Sequence, residues 1–130
     1  MNKVVARFAD GRILKGMTAD FFPNKDLFHV SPADEPPGTR PTEVHVSELK
    51  ALFFVKDYAG NPEHNERNEF PGAPIGRPIK VIFKDGEVLV GTTQGYQPNR
   101  PGFFLEPADP ESNIERCFVI TGATREVGFI

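Results

Sequence analysis

The chain repeats itself. When Val4 is laid on Ile79, Val4–Asp34 aligns without a gap on Ile79–Asp109, and 12 of the 31 positions are identical. The matches include Phe8/Phe83, Asp10/Asp85, Gly11/Gly86, Leu14/Leu89, Gly16/Gly91, Thr18/Thr93 and Pro32-Ala33-Asp34 against Pro107-Ala108-Asp109. Past a loop expected to differ by one residue, Glu43–Val55 continues against Cys117–Phe129. Two copies without a third exclude a long solenoid, which needs several stacked units to bury a continuous core. The 130 residues then divide into a first unit over 1–56, a Pro/Gly-rich connector over 57–78 and a second unit over 79–130.

Each unit reads as five short strands. Prolines and glycines, 13 and 12 of them, punctuate the chain too often for long helices. Lys3–Ala9 alternates apolar and polar residues, Asp10-Gly11 offers the two positive-φ positions of a tight hairpin, and Arg12–Ala19 returns. Ile79–Lys84, Asp85-Gly86 and Glu87–Thr93 repeat that pattern. Gly16 and Gly91 sit inside the second strands, where a missing side chain permits a bend or a close backbone approach. Third strands follow near Asp26–Ser31 and Gly102–Glu106, and fourth strands at Glu43–Val46 and Arg116–Ile120. After a short turn in each copy, fifth strands run over Ala51–Lys56 and Glu126–Ile130.

This is the layout of an all-β chain of two tandem five-stranded SH3-like/Sm-like small barrels, packed on each other. Phe8-x-Asp10-Gly11-x-x-Leu14-x-Gly16 resembles the first half of an Sm-type motif. Ala6–Phe8 and Asp20–Lys25, with the run Val46–Asp57, resemble an uncharacterised bacterial domain family found alone or beside PilZ second-messenger domains. The resemblance implies a fold and a bacterial cytoplasmic setting; it carries no functional residues across.

The phenylalanines suggest how the copies meet. Adjacent strand residues face opposite sides, so Phe21-Phe22, Phe53-Phe54 and Phe103-Phe104 each need two apolar surroundings. A buried Phe is worth roughly 1.5–3 kcal/mol, and several left in water invite aggregation. Outward-facing Ile13, Met17, Phe54, Ile82, Val88, Val90 and Phe104 are therefore expected to form an interface, between the copies or with another chain.

Charge and motif content narrow the function. A net charge of -3 argues against a dedicated nucleic-acid binder. The longest apolar run, Ala51–Val55, is far short of a membrane span, and no signal peptide opens the sequence. The single Cys117 excludes an internal disulfide and a multi-cysteine zinc site. No phosphate-cradling glycine loop, no Ser or Cys nucleophile motif and no cofactor or metal motif appears; His29, His45 and His64 read as surface residues. The connector, with room for a helical turn in Glu63–Glu69, reads as solvated.

One polar feature is duplicated. Pro23-Asn24-Lys25 and Pro98-Asn99-Arg100 each place a cation after Pro-Asn, near Phe21 in one copy and Tyr96 in the other. Pro-Asn is ordinary turn chemistry, yet a cation beside an aromatic ring also binds anions. Lys25, Asn24, Phe21, Arg100, Asn99, Tyr96 and the connector's Arg77 are thus the candidate ligand-binding residues. The expected function is a non-catalytic binding or regulatory module acting on a protein partner or as a homodimer. The alternatives are a small-anion or nucleotide sensor and an Sm-like RNA binder.

Overall fold

Backbone pairing joins ten strands into one antiparallel sheet. The structure, a computed structural model, describes residues 1–60 and 63–130; Asn61 and Pro62 of the connector lie outside the described residues. The first half contributes β1 (Asn2–Phe8), β2 (Ile13–Thr18), β3 (Leu27–Pro32), β4 (Thr42–His45) and β5 (Leu49–Val55). The second contributes β6 (Arg77–Phe83), β7 (Val88–Thr93), β8 (Gly102–Pro107), β9 (Ile114–Ile120) and β10 (Thr124–Phe129). Single 3₁₀ turns, Val46–Glu48 and Thr121–Ala123, precede β5 and β10. The Glu63–Glu69 stretch forms no helical turn. Among the described residues no helix is long and apolar enough to cross a membrane.

The strand order is β10-β6-β7-β8-β9-β5-β1-β2-β3-β4. Where the sequence suggests two closed barrels, the ladders form a single open sheet with β4 and β10 as its edges. The halves meet through β5 and β9, which pair as Ala51↔Val119, Leu52↔Phe118 and Phe53↔Cys117.

Two local expectations change. Gly11 and Gly86 have φ of 98° and 92°, but Asp10 and Asp85 keep ordinary negative φ. The Gly11 N–H donates to the Phe8 carbonyl at 3.0 Å and the Phe8 N–H to the Arg12 carbonyl at 2.9 Å. That geometry is a three-residue loop ending in a left-handed glycine rather than a two-residue turn. The Asp10 carboxylate accepts the Arg12 N–H at 3.0 Å, and Asp85 accepts that of Glu87 at 2.9 Å, so each aspartate braces its turn from ordinary backbone.

The second change concerns the offset between the halves. Val4 pairs with Phe54, and Ile79 pairs with Phe129. The 3₁₀ turns begin at Val46 and Thr121. Phe54 and Phe129, like Val46 and Thr121, stand at the same separation as Val4 and Ile79. The offset therefore continues unchanged to the last strand, and the expected one-residue change is absent. A one-residue slip between apolar strands costs little in sequence similarity, but it reverses every side chain. The glycines behave as their positions suggest. β2 meets β3 at Gly16↔Pro32 and β7 meets β8 at Gly91↔Pro107. A Cβ would collide with the Ser31 carbonyl oxygen at Gly16 and with that of Glu106 at Gly91.

With the offset corrected, the packing follows. Phe8, Phe28, Val44, Leu52 and Phe54 build one core, and Phe118 and Ile120 of the second half close it. Ile79, Val81, Phe83, Leu105 and Val119 build the other, and Val5, Ala51, Phe53 and Val55 of the first half close that one. Phe53-Phe54 and Phe103-Phe104 are each divided between the two cores, while Phe22 remains 51% exposed. At the free edges the counterparts are polar or absent. Glu43 and His45 stand where Phe118 and Ile120 stand in the second half; Glu126 and Gly128 stand where Ala51 and Phe53 stand in the first. Charge on an exposed edge discourages further strand pairing.

Lys50 adds a polar tie between the halves. Its side chain is only 9% exposed; Nζ bonds Asp85 at 2.7 Å, contacts Glu87 and lies 4.7 Å from the Phe83 ring centroid. Because both cores require both halves, Phe118→Ala should cost about 3–5 kcal/mol by opening a cavity. Urea unfolding followed by circular dichroism and by Tyr58/Tyr96 fluorescence should show one lowered, coincident transition; two separated transitions would contradict shared cores.

Candidate functional site

The two Pro-Asn-cation turns, one from each copy of the repeat, border one groove. Pro23, Asn24 and Lys25 line it from the first half, and Arg100, Pro101 and Ile120 from the second, around a volume of about 550 Å³. The turn geometry is repeated: the Lys25 N–H donates to the Phe22 carbonyl and the Arg100 N–H to the Gln97 carbonyl, both at 3.1 Å. The β5–β9 joint brings them together by setting β9, and with it β8, beside the first half. Past Pro23, Arg100 and Gly102 the groove continues into a second compartment of about 400 Å³, with Thr93, Phe104 and Arg116 on its walls.

The groove's cations are uncommitted to carboxylates. Lys25 Nζ lies 5.9 Å from the Phe22 ring centroid. Arg100 Nε donates to Gln97 Oε1 at 2.8 Å. Arg116 lies over Phe54 and Phe104, at 4.3 and 4.8 Å. Among the described residues none of the three has an ion-pair partner. The nearby Asp26, by contrast, is engaged: its carboxylate accepts the Ser47 N–H at 2.9 Å and contacts His45 Nδ1 at 2.8 Å. The Ser47 N–H and then His45 hold Asp26 below the usual carboxylate range, and the Asp26 carboxylate raises His45.

The remaining candidate residues lie elsewhere. Phe21 packs into the first core, 5.3 Å from Phe28 and 5.2 Å from Phe118. Asn99 is exposed and does not line the groove. Tyr96 and Arg77 meet at Phe129, 6.0 and 3.7 Å from its ring, as a separate cation–aromatic patch. Of the interface candidates, Phe54 and Phe104 lie at the joint with ring centroids 6.4 Å apart. Val90 is buried, Met17 and Ile82 are half-buried, and Ile13 and Val88 are exposed.

Sequence reading did not anticipate Arg116, whose signal is hidden in an ordinary strand, or the pairing of every histidine. His29 contacts Asp20, His45 contacts Asp26 and His64 contacts Asp109, each at 2.7–2.8 Å. Asp109 pins the connector: its buried carboxylate accepts the Arg67 N–H at 2.9 Å and the Arg67 guanidinium at 3.2 Å. Burial alone would raise Asp109, but the Arg67 and Glu111 N–H groups, the guanidinium and His64 outweigh it and hold the carboxyl far below its ordinary range. His64, Asp109 and Glu111 lie close enough together to suggest a cation site. Arg67, 3.2 Å from Asp109 and 3.6 Å from Glu111, already supplies the positive charge there. Burial pushes the Cys117 thiol far up, which leaves it unreactive. Another cavity, about 670 Å³ and lined in part by the connector, mixes Arg7, Lys15 and Lys56 with Asp57, Glu66, Glu87 and Glu111. Carboxylates outnumber cations there, whereas cations outnumber carboxylates in the groove.

The Asp26–His45 pair sets a pH window. A raised His45 stabilises fully below its unfolded value near 6.5 and loses that contribution as pH rises through the folded value. A lowered Asp26 stabilises above about 3.8 and loses its contribution as pH falls through the folded value. The stability difference between wild type and Asp26→Asn should therefore be largest between about pH 4 and 6.5 and shrink on both sides. A difference flat from pH 3 to 9 would remove the pair's role (denaturant midpoints give it directly).

No curated protein and no solved structure matches the chain. One family model does, over residues 1–130, and the chain belongs to that family, described as Family of unknown function (DUF6982).

Proposed function

We propose that the chain is a non-catalytic binding module of the bacterial cytoplasm, built from two small-barrel-like units over 1–56 and 79–130, and that it acts on a protein partner through the groove between the halves. The observation that carries this reading is the meeting of Lys25 and Arg100, counterparts in the two copies of the repeat, on one groove. An apolar wall with a few fixed charges is the usual anatomy of a recognition site. Beside the groove, Asp26 bonds His45 and accepts the Ser47 N–H, which ties the turn before β5 to the start of β3.

A shape argument favours a chain-like occupant over a small anion. The groove runs through two compartments, and a lone anion on Lys25 or Arg100 would leave most of the apolar lining wet. RNA is disfavoured by the overall charge of -3.

Charge reversal tests the reading. Wild type and Lys25→Glu/Arg100→Glu, both as purified chains of matched thermal stability, would be used to capture partners from bacterial lysate. A specific partner should be retained by wild type and lost by the variant. Equal capture by both would place recognition elsewhere, and thermal stabilisation of wild type by nucleotides or cyclic dinucleotides would favour the sensor alternative.

A further inference from the structure

We infer that the groove's occupant is an extended peptide segment bearing two carboxylates on one side, one held by Lys25 and the other by Arg100, with apolar side chains between and beside them. This rests on the groove being the recognition surface. It adds the partner's chemistry.

Charge complementarity carries the inference. The chain as a whole is acidic, at -3, yet Lys25, Arg100 and Arg116 stand along one groove without carboxylate partners among the described residues. Two carboxylates line it as well, Asp26 in the compartment of Lys25 and Arg100 and Glu106 in that of Arg116, so the lining keeps an excess of one cation. A bound carboxylate therefore meets cations that give up no existing ion pair, and partial enclosure strengthens each charge-assisted hydrogen bond.

The walls favour an apolar occupant. Exposed Pro23 and Pro101, with the buried Val46 and Ile120 behind them, line the same compartment as the two cations and offer nothing to an anionic backbone such as RNA. In an extended chain, side chains at i, i+2 and i+4 lie on one side. In the proposed complex, two acidic residues with that spacing take Lys25 and Arg100 while the alternate residues turn away from the cations. Arg100 presents a planar fork suited to bidentate carboxylate contact, and Lys25 a point charge, so the two positions differ in how strictly they orient their partner.

A displayed library of random short peptides with neutral flanks, selected on the intact chain, tests this directly. Enriched peptides should carry two acidic residues at i, i+2 or i, i+4 with apolar neighbours. For such a peptide, Lys25→Gln and Arg100→Gln should each weaken binding about tenfold, and each should abolish the preference for one of the two acids. Both positions are exposed turn residues, so thermal unfolding should be unchanged and serves as the control. Enrichment of neutral or singly acidic peptides that still depend on Lys25 and Arg100 would overturn the two-carboxylate assignment and leave the groove standing as the recognition surface. Peptides indifferent to both substitutions would overturn the assignment and the groove together. Failure to enrich any peptide above a Lys25→Glu/Arg100→Glu control would overturn the assignment.

Discussion

Everything in this structure depends on the β5–β9 ladder. A half of about 55 residues buries too little surface to be comfortably stable alone, so each needs a cover for its core. The ladder supplies both covers at once. Phe118 and Ile120 close the first core, while Ala51, Phe53 and Val55 close the second. β5, buried along its whole length, belongs to both. The arrangement is unequal in kind: the fifth strand of one half pairs with the fourth of the other. Equivalent strands are thereby left free at the two ends of the sheet, and there the chain carries Glu43, His45 and Glu126 instead of apolar residues. The differences between the halves are thus as informative as the identities.

Much of this was legible in the sequence. The identical Gly, Pro and Phe positions fix hairpins and strands, and the strand assignments come within a few residues of those observed. Gly16 and Gly91 announce the close approach of β2 to β3 and of β7 to β8. Phe53-Phe54 and Phe103-Phe104 announce that strands near the joint have two buried faces, whereas Phe21-Phe22 lies in a turn and leaves Phe22 exposed. What sequence could not supply was the pairing partner. Ile13, Met17, Phe54 and Phe104 have similar hydrophobicity, and only the strand order assigns Phe54 and Phe104 to the joint while leaving Ile13 in the open. The offset in the last strands illustrates the same limit, because apolar runs such as Leu52-Phe53-Phe54 match a slipped partner nearly as well as the true one.

The groove was half legible. Two Pro-Asn-cation turns are visible by eye, and their likeness marks them as counterparts. Their meeting is a property of the joint, which is encoded in strands far from either turn. Arg116 and the Asp26–His45 contact are side-chain relations across strands with no local sequence signal. Tyr96, chosen for its place beside the turn, and Arg77, a cation of the connector, belong to another patch built on Phe129. The same strand pairing that completes the cores therefore creates the surface proposed to bind, and a change that loosens the joint should disturb both.

Native-state hydrogen exchange of backbone amides tests the joint most directly. If the two halves share their cores, the slowest amides of β1, β5, β8 and β9 should exchange through a single global opening with one common free energy, equal to that from denaturant unfolding. Were the protected amides of β6–β10 to exchange at a distinctly lower free energy while β1–β5 stayed closed, the halves would be independent units in contact and the account of reciprocal covers would fail.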